Sequence, residues 1–337
     1  MSNIDIYKNK GLKITYICDL ITDSYVYISV VNTFIIFNSI NNNLYLIYST
    51  KNKSIIIFNL IKNQILTEIK NAHKKYITNF RYFFDKINNR DLFMSISSSD
   101  NNIKIWSVYN CECIIDIKNV NKKGEIYSAC YLYDNHQNYI NIASNYSFEC
   151  NEKIKVFDFD GNLIKELKYS NNEVIFIDSY YDKQYLKNYI ITGNKGDVKS
   201  YDYNENELYH NYIDGNDYEI NHTSIIITSH KKNIILIESS TDGFIRMWNF
   251  HIVFLIQKIK MDSSICGICL WNNECLFGGS FEEPKYIEES IYEELMDDNE
   301  FEITIKYIIH PKYGECLLSQ GYYDYKKIKL WKIINNK

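Results

Sequence analysis

The chain has 337 residues, a formal net charge of −5 at neutral pH and 46% hydrophobic residues, enough apolar material for a large core. Its 37 Lys and Arg against 42 Asp and Glu exclude a strongly basic nucleic-acid-binding chain, and no run of 18 apolar residues supports a membrane span. Nine cysteines, an odd number scattered over strand-like positions, fit a reduced compartment better than a disulfide framework. With no charged-then-apolar leader, the expected location is cytoplasmic or nuclear.

In chain order, residues 1–10 are expected to be a short tail and 11–337 a single domain. Pro284 and Pro311 are the only prolines, and no Pro/Gly/Ser linker divides the chain. Leu12–Cys18 reads as a strand. Six stretches then repeat one pattern, a strand-like run, a tight polar turn and a short alternating strand closing on an aromatic residue. They occupy 47–60, 94–108, 142–159, 189–203, 236–250 and 317–333. Anchored on Phe58, Trp106, Phe157, Tyr201, Trp248 and Trp331, they step by 48, 51, 44, 47 and 83 residues. The last step is close to two periods, so a degenerate copy is expected between Trp248 and Trp331. A period of this size, with room for four strands per copy, specifies an all-β fold, a seven-bladed β-propeller of four-stranded antiparallel blades. Asn runs such as 41–43 read as solvated turns.

The degenerate copy has a second strand over 276–281, and 303–309 reads as the first strand of the seventh blade. Between them, residues 282–302 carry ten acids and one base, Lys285. Ile287, Ile291 and Leu295 recur every four residues, which favours a short acidic helix or a mobile loop over two regular strands. Glu288, Ile291, Glu293 and Leu295 are the candidate contacts for a basic partner. The last strand, 327–333, corresponds to the third of its blade. Leu12–Cys18 is expected to supply the outer one and so to close the ring with the N-terminal strand.

Two copies carry a fuller motif. Asp100 and Asp242 each lie six positions before a Trp, Trp106 and Trp248, with Ser98 and Ser240 two positions earlier and Gly243 in the second turn. His73 and His222 precede those Trp residues by 33 and 26 positions. In these features the chain resembles the WD-repeat family, over nearly its whole length. It departs in that Ala72 and Asn221 stand where the family has Gly. Trp-Asp itself never occurs, its nearest echoes being Phe157-Asp158 and Tyr201-Asp202.

The resemblance implies two buried, structural hydrogen-bond sets, His73–Ser98–Asp100–Trp106 and His222–Ser240–Asp242–Trp248. In each, Asp orients the imidazole and Ser links it to the indole N–H. It also implies one face made by second-to-third-strand turns and inter-blade loops. There Lys51, Lys53, Lys74, Lys75, Lys122, Lys123, Lys195, Lys326 and Lys327 would form a basic crescent for an acidic protein segment.

No Gly-rich phosphate loop, His-Glu-x-x-His or Gly-x-Ser-x-Gly occurs, so no catalytic residue, metal or cofactor is assigned. Cys266-x-x-Cys269 with Cys275 is the sharpest metal candidate. Residues 264–271 read as a strand, however, which points the two thiols to opposite faces and favours buried core cysteines. Cys111 and Cys113 are read in the same way. Arg81, Arg90 and Arg246 are the only arginines, and lysines without Arg forks do not by themselves read bases. The expected function is a non-catalytic protein–protein interaction scaffold or adaptor within a larger assembly, with protein partners and neither nucleic acid nor membrane insertion. The alternatives are a peptide- or histone-tail-reading adaptor with a pocket at the central channel and, behind it, an enzyme.

Overall fold

Short apolar runs broken by Asn- and Asp-rich turns fold into a β-propeller of small antiparallel sheets. In the computed structural model the described residues are 12–21, 34–120, 125–133, 139–146, 154–167, 174–194, 197–214, 222–230, 233–240, 242–260, 265–271, 275–280, 284–286, 302–321 and 327–335. After β1 (Leu12–Ile21), the first sheet is β2 (Phe34–Asn38), β3 (Leu44–Ser49), β4 (Ile55–Asn59) and β5 (Gln64–Ile69). The second is β6 (Asn79–Asp85), β7 (Arg90–Ser97), β8 (Asn102–Ser107) and β9 (Cys113–Ile117). The third is β10 (Glu125–Tyr133), β11 (Tyr139–Tyr146), β12 (Ile154–Phe157) and β13 (Leu163–Leu167). The fourth is β14 (Val174–Asp182), β15 (Lys187–Asn194), β16 (Val198–Asp202) and β17 (Glu207–Tyr212). The fifth is β18 (His222–His230), β19 (Asn233–Ser240), β20 (Phe244–Asn249) and β21 (Phe254–Lys260). The sixth is β22 (Ile265–Trp271), β23 (Cys275–Ser280) and β24 (Pro284–Tyr286). The last is β25 (Glu302–His310), β26 (Gly314–Gly321) and β27 (Ile328–Asn335), with β1 outermost.

Two parts of the expected architecture are corrected. The expected seven four-stranded blades are not what the described residues show: six sheets have four strands, and β22–β24 form a three-stranded one. Residues 284–286 of the acidic stretch, expected in a helix or loop, pair instead with β23, with Pro284 opposite Gly279. The N-terminal strand is also not what joins the first sheet to the last. Those sheets touch through their inner strands, β2 and β25, like the other neighbouring pairs. β1 adds the outer strand to the last sheet, in a register running from Leu12↔Asn335 to Ile21↔Ile328.

Packing follows from burial on both faces of each sheet. Leu44–Ser49 and Ile55–Asn59 are buried throughout. One apolar cluster spans the first and last sheets, joining Phe34, Leu46 and Phe58 to Ile308, Leu318 and Leu330, with Ile21 beside them. Similar clusters join the first sheet to the second, the second to the third, the third to the fourth, the fourth to the fifth and the fifth to the sixth. Each fully buried Ile, Leu or Phe contributes about 1.5–3 kcal/mol.

The turns are held by short polar side chains. Asp85 accepts from the backbone N–H of Ile87 and Asn88, Asp182 from Gln184 and Tyr185, and Asp202 from Asn204 and Glu205. Asn42, Asn63, Asn89 and Asn206 take left-handed backbone angles of φ 57, 51, 49 and 58°, a region Asn tolerates because its amide can bond locally.

Candidate interaction face and its polar supports

The first polar set forms with one member exchanged. The His73 Nε2 and Ser95 Oγ atoms are 2.7 Å apart, and the Trp106 indole N–H donates to the same oxygen at 2.8 Å. Asp100 stands 3.6 Å from His73 Nδ1. Ser98, expected as the link, lies beyond the end of β7 and donates to Glu125 at 3.0 Å instead. Register explains the exchange. Phe93 pairs with Trp106, so Ser95, two residues on, shares the face of that ring, whereas Ser98 opens the turn closed by Asn101. The last sheet repeats the device unannounced, with Trp331 donating to Ser319 at 2.7 Å.

Burial lowers the His73 pKa, with the Asp100 charge pulling against it, so the ring is neutral. Burial likewise works to raise Asp100, but His73 and the Lys74 N–H outweigh it and hold the carboxyl below its ordinary range. Ser95→Ala is expected to cost about 1–3 kcal/mol in urea unfolding, since it strands an imidazole nitrogen and an indole N–H, while Ser98→Ala stays near zero. Equal losses in the two variants would sink this assignment.

The second set is described only in part. His222 opens β18 opposite Ser240, and its side chain lies outside the described residues. Asp242 is held by Ser240 and by the guanidinium of Arg246. Arg246 is fully buried. Its Nε donates to Asp214 at 2.6 Å, an NH1 donates to Ser240 at 3.0 Å, and Glu238 Oε1 lies 3.8 Å away. Lys258 also donates to Asp214. Glu238 occupies the place of Ser95 and Ser319, two residues past the partner of a Trp, here Leu236 opposite Trp248. Burial pushes the Glu238 carboxyl up to about 8, with Arg246 and Trp248 pulling it back. Neutral Glu238 leaves two carboxylates facing two cations.

A recurrent signal in the sequence could have revealed this network. Two residues before the closing aromatic stand Lys104, Lys155, Lys199, Arg246 and Lys329. Three of them clamp the loop entering their own sheet. Lys104 donates to Ala72 O at 2.7 Å, Lys155 to Val120 O, and Arg246 to Asp214. Lys199 pairs locally with Asp197 at 2.8 Å.

No protein-family model matches this chain, and no curated protein matches it. The propeller assignment therefore stands on the sheets themselves.

On the turn face, Ala72 N donates to Lys53 O at 3.1 Å, which ties the 50–54 turn of the first sheet to the loop carrying Lys74 and Lys75. Asp100 accepts the backbone N–H groups of Lys74 at 2.8 Å and Lys75 at 3.3 Å, so the buried set fixes the turn that displays them. Lys51, Lys74 and Lys75 are exposed and Lys53 half-buried. Lys327 is tied to Asp19 at 3.2 Å. Lys122, Lys123, Lys195 and Lys326 lie outside the described residues, as do Glu288, Ile291, Glu293 and Leu295. Cys269 is buried within strand β22, and burial pushes its thiol up to about 12, the behaviour of a core cysteine.

Proposed function

We propose that this chain is a WD-repeat-like propeller acting as a non-catalytic protein-interaction scaffold, whose first and second sheets present a basic face to an acidic segment of another protein. The observation that carries the reading is the double hold of Asp100 on the Lys74–Lys75 turn and on His73 beneath it. Lysines on a preordered turn lose little backbone entropy on binding, and neighbouring turns add their fields. The His–Ser–Asp constellation supports a structural role. Ser95 is fully buried and bonded to an indole N–H, so its hydroxyl has no route to substrate.

The test is fluorescence anisotropy with a labelled Glu-rich peptide, using the wild type and the triple variant Lys51→Glu, Lys74→Glu, Lys75→Glu. Affinity is expected to fall about tenfold or more, from three surface charge pairs of about 0.5 kcal/mol each and added repulsion, with an unchanged melting temperature. Wild-type binding should weaken as salt rises. Equal binding by both proteins would remove the basic face from the recognition surface.

A further inference from the structure

Alternating strand direction puts the first-to-second and third-to-fourth-strand turns of every sheet on one face, opposite the turns carrying Lys51, Lys74 and Lys75. Among the described residues, fifteen of the seventeen exposed large apolar side chains stand on those turns or within three residues of them. A singly exposed Ile is ordinary, but a collection on one face marks an interaction surface.

The first-to-second-strand turns lie nearest the axis, because the first strand of each sheet is the inner one. Four of them are described throughout. On or beside their tips stand Ile40 at 41% exposure, Ile87 at 60%, Tyr185 at 53% and Ile309 at 68%. The turns are held from beneath. Asp91 accepts the backbone N–H of Ile40 at 3.1 Å, Asp85 that of Ile87 at 3.1 Å and Asp182 that of Tyr185 at 3.2 Å. His310 Nδ1 accepts those of Lys312 and Tyr313. The three carboxylates are buried, so they order the backbone without presenting charge to a partner. Apolar groups on preordered turns lose little entropy on binding.

Lys183 and Lys312 are exposed on two of these turns, Lys312 stacking on Tyr313 at 4.8 Å, and no exposed acid stands on any of the four. The fourth sheet, with Lys183 and Tyr185, lies across the axis from the last, with Lys312 and Ile309. Farther out, the third-to-fourth-strand turns show Glu112, Asp160 and Glu205 beside Lys62. A flat anionic surface would meet those outer acids together with the central lysines. A single segment can lie across the centre inside them. We propose that this face docks an acidic segment of another protein that also carries apolar side chains, laid across the axis from the fourth sheet to the last. Its apolar groups cover the Ile and Tyr tips, and its carboxylates meet Lys183 and Lys312. Apolar burial carries the contact, so it persists at salt concentrations that screen the lysine turn face. The site does not depend on that turn face, and with it the chain holds partners on both sides.

Fluorescence anisotropy with a short labelled peptide of interspersed Leu and Glu, against an all-Glu peptide of equal length, tests the face. The Leu/Glu peptide is expected to bind the wild type with weak salt dependence. The triple variant Ile87→Ser, Tyr185→Ser, Ile309→Ser should bind it about tenfold more weakly. Lys183→Glu with Lys312→Glu should cost about threefold at low salt. The Lys51, Lys74, Lys75 variant should bind it as the wild type does while losing the all-Glu peptide. Should the Ser variant melt below the wild type, the Lys183→Glu, Lys312→Glu protein decides. No binding of the Leu/Glu peptide, or equal binding by wild type and these variants, would overturn the proposal. So would its loss in the Lys51, Lys74, Lys75 variant, which would move the contact to the other face. If the wild type ignores the peptide but floats with phosphatidylserine vesicles through these tips, the occupant is a membrane surface and the proposal fails.

Discussion

Arg246→Met is expected to destabilise the protein by about 3–5 kcal/mol in urea unfolding at pH 7, the largest loss predicted for any single side chain of this fold. Met fills much of the volume, so the loss isolates charge from packing. Asp242 and Asp214 would each lose a guanidinium contact in a site with almost no water, and Lys258 would remain for Asp214 alone. Glu238 gives the same network a pH signature. Its folded value of about 8 lies above its ordinary 4.5, so unfolding releases a proton between those limits. Its contribution to stability is full below about pH 4.5 and is lost as pH rises through about 8, at no more than about 1.4 kcal/mol per pH unit. Glu238→Gln should flatten that slope. Asp242, held below its ordinary value because Arg246 and Ser240 outweigh its burial, acts oppositely, and its stabilisation is lost as pH falls through the acid range. An Arg246→Met loss under 1 kcal/mol, or a Glu238→Gln protein with the wild-type pH profile between 5 and 8, would contradict the network.

Removal of residues 1–21 is expected to lower the melting temperature by about 10 °C or more and to produce soluble oligomers in light scattering. Two effects combine. Ile17, Cys18, Leu20 and Ile21 pack against the cluster shared by the first and last sheets, and losing several such side chains costs roughly 5 kcal/mol. The ladder edge of β27 would also lose its partner from Ile328 to Asn335, presenting open N–H and C=O groups to other chains. Because the first and last sheets still meet through β2 and β25, a damaged but assembled propeller is expected, not an unfolded chain. A truncated monomer with wild-type melting would show that β1 contributes little.

Much of the fold was legible because it is local. Alternating runs, Asn and Asp turns and the spacing of Phe58, Trp106, Phe157, Tyr201, Trp248 and Trp331 report strand lengths and their repetition, which neighbours in sequence control. The β1–β27 pairing, from Leu12↔Asn335 to Ile21↔Ile328, joins residues far apart in sequence and was legible only through the repeat, which leaves the outer edge of Ile328–Asn335 for a further strand. The polar sets were legible only in outline. Spacing placed His73, Asp100 and Trp106 correctly, but Ser95 and Ser98 differ by the position of a strand end, and a register decided between them.

By itself the sequence determined the element type, the repeat and the buried anchors, because alternation and turn chemistry act over a few residues. Only the tertiary structure decided which charges meet. Arg246 lies 32 residues from Asp214, and Arg81 lies 96 from Ile177. Such partners are chosen by how sheets stack around the axis and by the desolvation that leaves a buried cation no alternative to a carboxylate or a carbonyl.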